Sequence, residues 1–186
     1  GSSKTVAVTP ATGYYLSSIS CTNGYTVTAT TGTSATAAQT ITIKNNSKAT
    51  NSTCTATMAK RSFTVTMSGG NASYSSNSFA VSYAGTNKVT ITPSAGYYLS
   101  SISCSNGYTV TGATTGANAT GAQTVTINNN SKVASSTCTV TMAARSFTVT
   151  MSGSNVTFGA TSLAVAYGGS KTVTLTPKSG YYLNGI

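Results

Sequence analysis

Four cysteines, at positions 21, 54, 104 and 138, are the residues of this 186-residue chain with the most definite chemistry open to them. Beside them stand ten Lys and Arg and eleven Tyr, and there is no Asp, Glu or His anywhere. Proton transfer near neutral pH is ordinarily the work of His and carboxylates. Ca²⁺ and Mg²⁺ are held by oxygen ligands, mostly carboxylates, and catalytic Zn²⁺ by His or carboxylate. Hydrolysis by a Ser-Lys pair is unsupported too, since no Ser-x-x-Lys occurs. The residue types therefore point away from an enzyme, and they suggest no cofactor and no metal.

What remains is thiol chemistry. Cysteines fall two to a period, and Cys21–Cys54 with Cys104–Cys138 is the pairing that recurs within each period. Each bond closes a loop of about 35 residues, worth on the order of 3–4 kcal/mol in the chain-entropy picture. Free buried thiols of a reducing compartment are the alternative; a metal site has less support, because nothing reads Cys-x-x-Cys. The paired reading implies an oxidising, extracellular address.

The elements that must position these residues are strands. Thr and Val abound while Leu, Glu and Lys are scarce, which favours sheet over helix. Phe63, Val65 and Met67 alternate with Thr64, Thr66 and Ser68. The same period of two runs through Phe79–Tyr83, Val89–Ile91, Val125–Ile127 and Cys138–Met142, as expected of half-buried strands. Turn signals separate them: Ser68-Gly69-Gly70, Tyr83-Ala84-Gly85, Pro93 to Gly96, and Asn106-Gly107 as a hairpin signal. About seven strands in one period fits an antiparallel, immunoglobulin-like β-sandwich. No apolar run approaches the ~20 residues of a membrane span, so no membrane insertion is expected.

Gly-Tyr-Tyr-Leu begins at 13, 96 and 180, a spacing of 83 and then 84 residues, and residues 13–21 recur unchanged at 96–104. Solenoid repeats are shorter, so this period predicts tandem globular modules, each with one disulfide. A module boundary at Arg61-Ser62-Phe63 makes 61–144 a complete module. Residues 1–60 are then a partial module without its opening strands, and 145–186 the opening strands of a further one. The chain opens on Gly-Ser and reads as an excerpt of something longer.

Phe-Thr-Val-Thr-Met, Tyr-Gly-Gly-Ser-Lys-Thr-Val-Thr-Leu-Thr-Pro, Gly-Tyr-Tyr-Leu and Cys-Thr-Val-Thr-Met follow one another in an order that resembles the divergent tandem repeats of bacterial surface proteins related to the internalin B-repeat. The likeness covers nearly the whole chain and carries no active-site residue. It implies a secreted, multi-domain stalk or adhesin. The expected function is structural and adhesive, an extracellular stalk, fibre or filament; the alternative is a module binding a glycan or polyanion, in a surface adhesin or a phage tail fibre.

Candidate contacts follow from charge and repeat phase. A net charge of +10 without counter-charge attracts polyanions such as anionic glycans or cell-wall polymers, while no aromatic-rich basic groove argues for nucleic acid. Lys60-Arg61 is the one contiguous basic pair, and Tyr14 and Tyr97 are candidate surface contacts. In each Gly-Tyr-Tyr, one ring is expected in the core and the other on the surface. Phe147, Val149, Met151, Leu163, Val165 and Tyr167 repeat the opening strands that residues 1–60 lack. They form a candidate strand-exchange segment, by which one copy completes the next, head to tail.

The missing acids make a direct prediction. Tyr and Lys titrate near pH ~10 and Arg above ~12, so no side chain of the oxidised chain changes charge between about pH 3 and 8. Acid unfolding reflects carboxylates or buried His taking up protons. The melting temperature should hardly differ between pH 7 and pH 3, measured by circular dichroism; a collapse at pH 3 would contradict this reading.

Overall fold

In the computed structural model, all 186 residues are described, and the chain is entirely strands, turns and bends. Residues 1–60 hold β1 (Ser3–Val8), β2 (Tyr14–Cys21), β3 (Thr26–Thr28), β4 (Gln39–Lys44) and β5 (Cys54–Lys60). The stretch 61–144 holds β6 (Ser62–Ser68), β7 (Ala72–Tyr74), β8 (Ser78–Ser82), β9 (Thr86–Pro93), β10 (Tyr97–Cys104), β11 (Thr109–Thr111), β12 (Gln123–Asn128) and β13 (Ser136–Ala144). After it come β14 (Ser146–Thr150), β15 (Val156–Phe158), β16 (Ser162–Ala166) and β17 (Leu175–Pro177).

Two four-stranded sheets make up 61–144, in the orders β10-β13-β6-β8 and β11-β12-β9-β7. Period-two alternation puts Phe63, Val65 and Met67 of β6 inward while their Thr and Ser neighbours stay wet. Inward residues of both sheets meet in one core: Val65, Val81, Leu99, Cys138 and Val140 from the first, Val89, Ile91, Val125 and Ile127 from the second. Leu99, Ile91, Val125 and Ile127 are wholly buried. Truncating one such side chain to Ala costs about 2–5 kcal/mol.

Sequential strands mostly do not pair. From β6 to β11 the chain changes sheet at every step, and within 61–144 only β11 and β12 are both consecutive and paired. Asn106-Gly107 is therefore a corner between sheets and not the tip of a two-stranded hairpin. Its chemistry is as expected, with φ of 55° and 72° at the two residues, a left-handed pair that Asn and Gly tolerate. What differs is where the exit strand goes. Tyr108, directly after the turn, is buried and donates its hydroxyl to the Ala134 carbonyl at 2.9 Å, which drags β11 over to the second sheet.

The count of strands is eight where about seven were expected, and one pairing is parallel. β6 runs parallel to β13, with Val65 beside Ser136 and Met67 beside Cys138; all other pairs are antiparallel. These are the first and last strands of the segment. A parallel neighbour needs a long connection, and the whole intervening chain supplies it.

Both disulfides form as the repeating pairing requires. Cys21 bonds Cys54 across β2 and β5, and Cys104 bonds Cys138 across β10 and β13, each pair directly opposite in register. No free cysteine remains. Cys138 is wholly buried and Cys104 packs against the core, so the bond also fills core volume.

Buried side-chain nitrogen and oxygen atoms all have hydrogen-bond partners. Asn129, wholly buried, donates to the Tyr108 hydroxyl at 2.6 Å and the Lys132 carbonyl at 3.0 Å, and accepts from the Ala84 and Lys132 amides. Burial pushes the Tyr108 and Tyr74 hydroxyls to higher pKa, partly offset at Tyr108 by its bond with Asn129. A raised pKa in the folded state means the native chain holds these protons more tightly, so their contribution persists below pH ~10 and fades as pH rises through the folded values.

Replacing Cys104 and Cys138 together by Ser should lower stability in urea by about 3–4 kcal/mol, with the larger share of the loss in residues 61–144. A change under ~1 kcal/mol would mean that the reduced chain is held just as well by the β10–β13 ladder alone.

Candidate functional site

The most distinctive local chemistry lies where each disulfide-bonded segment meets the segment that follows it. β5 runs into β6 with only Arg61 between them, and β13 into β14 with only Arg145. At the first junction the Arg61 amide donates to the Gly13 carbonyl at 2.8 Å, and the Arg61 carbonyl accepts from the Tyr83 amide at 2.8 Å. At the second, Arg145 donates to Gly96 at 2.8 Å and accepts from Tyr167 at 2.7 Å. A single residue is thus tied on both sides, backward to the preceding segment and forward to the following one.

A tyrosine closes each joint. The Tyr83 ring lies flat on the backbone of Gly13, so that a β-carbon at Gly13 would stand 2.2 Å from a ring carbon. Tyr167 covers Gly96 in the same way, at 2.1 Å. Both glycines hold a left-handed backbone, φ 81° and 79°. Here glycine is required twice over, by conformation and by close approach. The first tyrosine of each motif meets the same ring edge-on: Tyr14 with Tyr83 and Tyr97 with Tyr167, both at 6.0 Å between centroids. Such pairs add about 0.5–1.5 kcal/mol beyond area burial. The Arg61 guanidinium lies over the Phe63 ring at 4.9 Å, and Arg145 over Phe147 at 5.0 Å.

The expectation of one core tyrosine per Gly-Tyr-Tyr is not what the structure holds. Tyr14, Tyr15, Tyr97 and Tyr98 are all half-buried, and the core position is taken by Leu16 or Leu99. Tyr14 and Tyr97 belong to the joint. The second tyrosines face outward into shallow clefts. One cleft, about 240 Å³, is lined by Tyr15, Thr33, Lys60, Arg61 and Ser62. The other, about 300 Å³, is lined by Tyr98, Ala117, Asn118, Ala144, Arg145 and Ser146.

Residues of the strand-exchange expectation sit as follows. Phe147 and Val149 on β14 are each 45% exposed, whereas their equivalents Phe63 and Val65 are 7% and 0% exposed. Met151, Leu163 and Val165 are half-buried, and Tyr167 is engaged with Gly96. A cavity of about 470 Å³ opens among Met151, Val156, Phe158, Leu175 and Pro177. It is the space that β12 and β13 fill in 61–144, and it reads as an open core in place of a ligand pocket.

Sequence reasoning missed the ring-on-glycine joint. The signal was present: Tyr83 and Tyr167 recur 84 residues apart, in phase with Gly13 and Gly96. The chain shows no match to a family model and no similarity to curated proteins or to solved structures.

Gly96→Ala should open the second joint, because a methyl group both occupies the ring's place and strains the left-handed backbone by about 1 kcal/mol or more. Hydrogen exchange of the Arg145 and Tyr167 amides should speed up by an order of magnitude or so while the Leu99 and Val140 amides stay protected. Unchanged exchange at Tyr167 would show that the ring is not what holds the joint.

Proposed function

We propose that this chain is a stretch of a tandem array of immunoglobulin-like β-sandwich modules, about 84 residues each, and that the array is an extracellular stalk or fibre. The duplicated joint carries the reading. Two successive junctions with the same one-residue connection, the same two backbone bonds and the same ring-on-glycine contact give every module the same orientation to its neighbour. Modules joined by loose linkers tumble independently; modules joined this way make a stiff rod. A rod that holds something away from a surface needs stiffness, solubility and durability outside the cell, and no chemistry. Disulfides fit an oxidising, non-cytoplasmic place. No helix is long and apolar enough to cross a membrane. The absence of acids and His supports a non-enzymatic role.

Nitrogen-15 relaxation on the oxidised 186-residue chain tests this. Residues 14–60 and 61–144 should share one anisotropic rotational correlation time. Separate correlation times on the two sides of Arg61 would rule out a stiff rod.

A second reading is favoured by one observation. Residues 145–153 are identical to 61–69, the segment whose β6 strand lies parallel to β13. In a solution of this chain, β14 of one copy fits beside β5 of another, with Val149 beside Ser52 and Met151 beside Cys54. Electron microscopy of the non-reduced protein should then show head-to-tail filaments that vanish when 145–186 is deleted; isolated short particles would refute this exchange.

A further inference from the structure

The two junction clefts share a composition that the rod does not require. Each is lined by the second tyrosine of Gly-Tyr-Tyr, an arginine from the connection and the serine after it: Tyr15, Arg61 and Ser62, then Tyr98, Arg145 and Ser146. The arginine is held in place through its backbone, tied fore and aft, and through its guanidinium, stacked over phenylalanine at 4.9 or 5.0 Å. Stacking leaves the edge of a guanidinium, with its N–H donors, free to act. No side-chain carboxylate can pair with it, because the chain has no Asp or Glu.

We propose that each junction cleft binds one anionic sugar of an acidic polysaccharide. The arginine edge takes the carboxylate or sulfate in the paired geometry that suits planar oxyanions. The tyrosine ring offers an apolar face of the right size for the C–H face of a pyranose, and the serine hydroxyl bonds a ring hydroxyl. Because the joint recurs once per module, the sites recur along one rod and can engage one long polymer, so that weak single sites add through multivalency. The sites rest on the closed joint of the proposed rod, since opening it separates tyrosine from arginine.

The two clefts are not equal. Lys60 and Thr33 line the first, where Ala144 and Ala117 stand in the second. The first should therefore bind an acidic sugar more tightly. A single tyrosine per cleft gives a nucleic-acid strand no run of stacking platforms, which favours saccharide over nucleic acid.

Calorimetric titration with a heparin hexasaccharide and with a hyaluronate hexasaccharide distinguishes sulfate from carboxylate recognition. Two sites per chain are expected for at least one of them. Arg61→Gln with Arg145→Gln should weaken binding by about tenfold or more. Tyr15→Ala with Tyr98→Ala should weaken it by several-fold while leaving the charge untouched. Lys44→Gln with Lys88→Gln, exposed lysines outside both clefts, removes the same two charges and should change affinity by about twofold at most. Equal losses in the arginine and lysine variants would reduce the effect to the general field and overturn the proposal, as would no binding of either sugar. Tighter binding of a single-stranded oligonucleotide at the same clefts would overturn the saccharide assignment. Relaxation across Arg61 is measured in the same variants: common tumbling with lost binding locates the loss in the cleft, whereas separate tumbling in the wild-type chain counts against the rod.

Discussion

A chain with no acidic side chain has no ion pairs with which to fix its polar contacts. Every structural polar contact has to be made by neutral groups, and the amide side chains take the largest part. Gln39 both accepts from and donates to the Thr30 backbone, at 2.8 Å each way, and Gln123 pairs with the Thr114 backbone likewise, at 2.7 and 2.9 Å. Asn46 and Asn130 hold the Gly24 and Gly107 carbonyls. Asn129 satisfies four polar groups from a wholly buried position, where a carboxylate would face desolvation. Neutral contacts of this kind are indifferent to acid and little screened by salt. The ten cations are left with nothing inside the chain to neutralise them, so their partners must come from solution.

The same constraint bears on the joints. A surface ion pair between modules would contribute little and would weaken with salt. The joint uses backbone hydrogen bonds, a ring on a glycine and a guanidinium on a phenylalanine instead. All three need close, fixed geometry, so a joint built from them is either closed in one arrangement or open. The stiffness proposed for the rod rests on that choice of interaction. The arginine at its centre is positioned as a by-product, and it lines the cleft.

Much of the fold is legible from the sequence, because burial by alternation is a local property. Phe63, Val65 and Met67 announce β6, and Val125 and Ile127 announce β12, from their own spacing. The cysteine pairing follows from periodicity alone. What is not legible depends on neighbours far away. Asn106-Gly107 specifies a left-handed turn, but only the seat of Tyr108 under Ala134 decides that the next strand joins the other sheet. The parallel contact of β6 with β13 leaves no mark in either strand. In Gly-Tyr-Tyr the alternation predicts core against surface, but the ring that decides the outcome, Tyr83 or Tyr167, arrives from about 70 residues further along the chain.

Residues 61–69 and 145–153 make the limit of local reading concrete. One sequence, Arg-Ser-Phe-Thr-Val-Thr-Met-Ser-Gly, occurs in two settings. In the first, the strand lies between β13 and β8 and its Phe and Val are 7% and 0% exposed; in the second it pairs with β16 alone and both are 45% exposed. Intrinsic propensity is identical, so the difference is due wholly to the strand beside it and the sheet beneath. Covering a Phe and a Val from that state removes on the order of 100 Å² of apolar surface from water, about 2–3 kcal/mol. This is comparable to one disulfide. The burial of this strand is therefore set by partners far along the chain within 61–144, β13 beside it and the second sheet beneath it, and not by the strand's own residues.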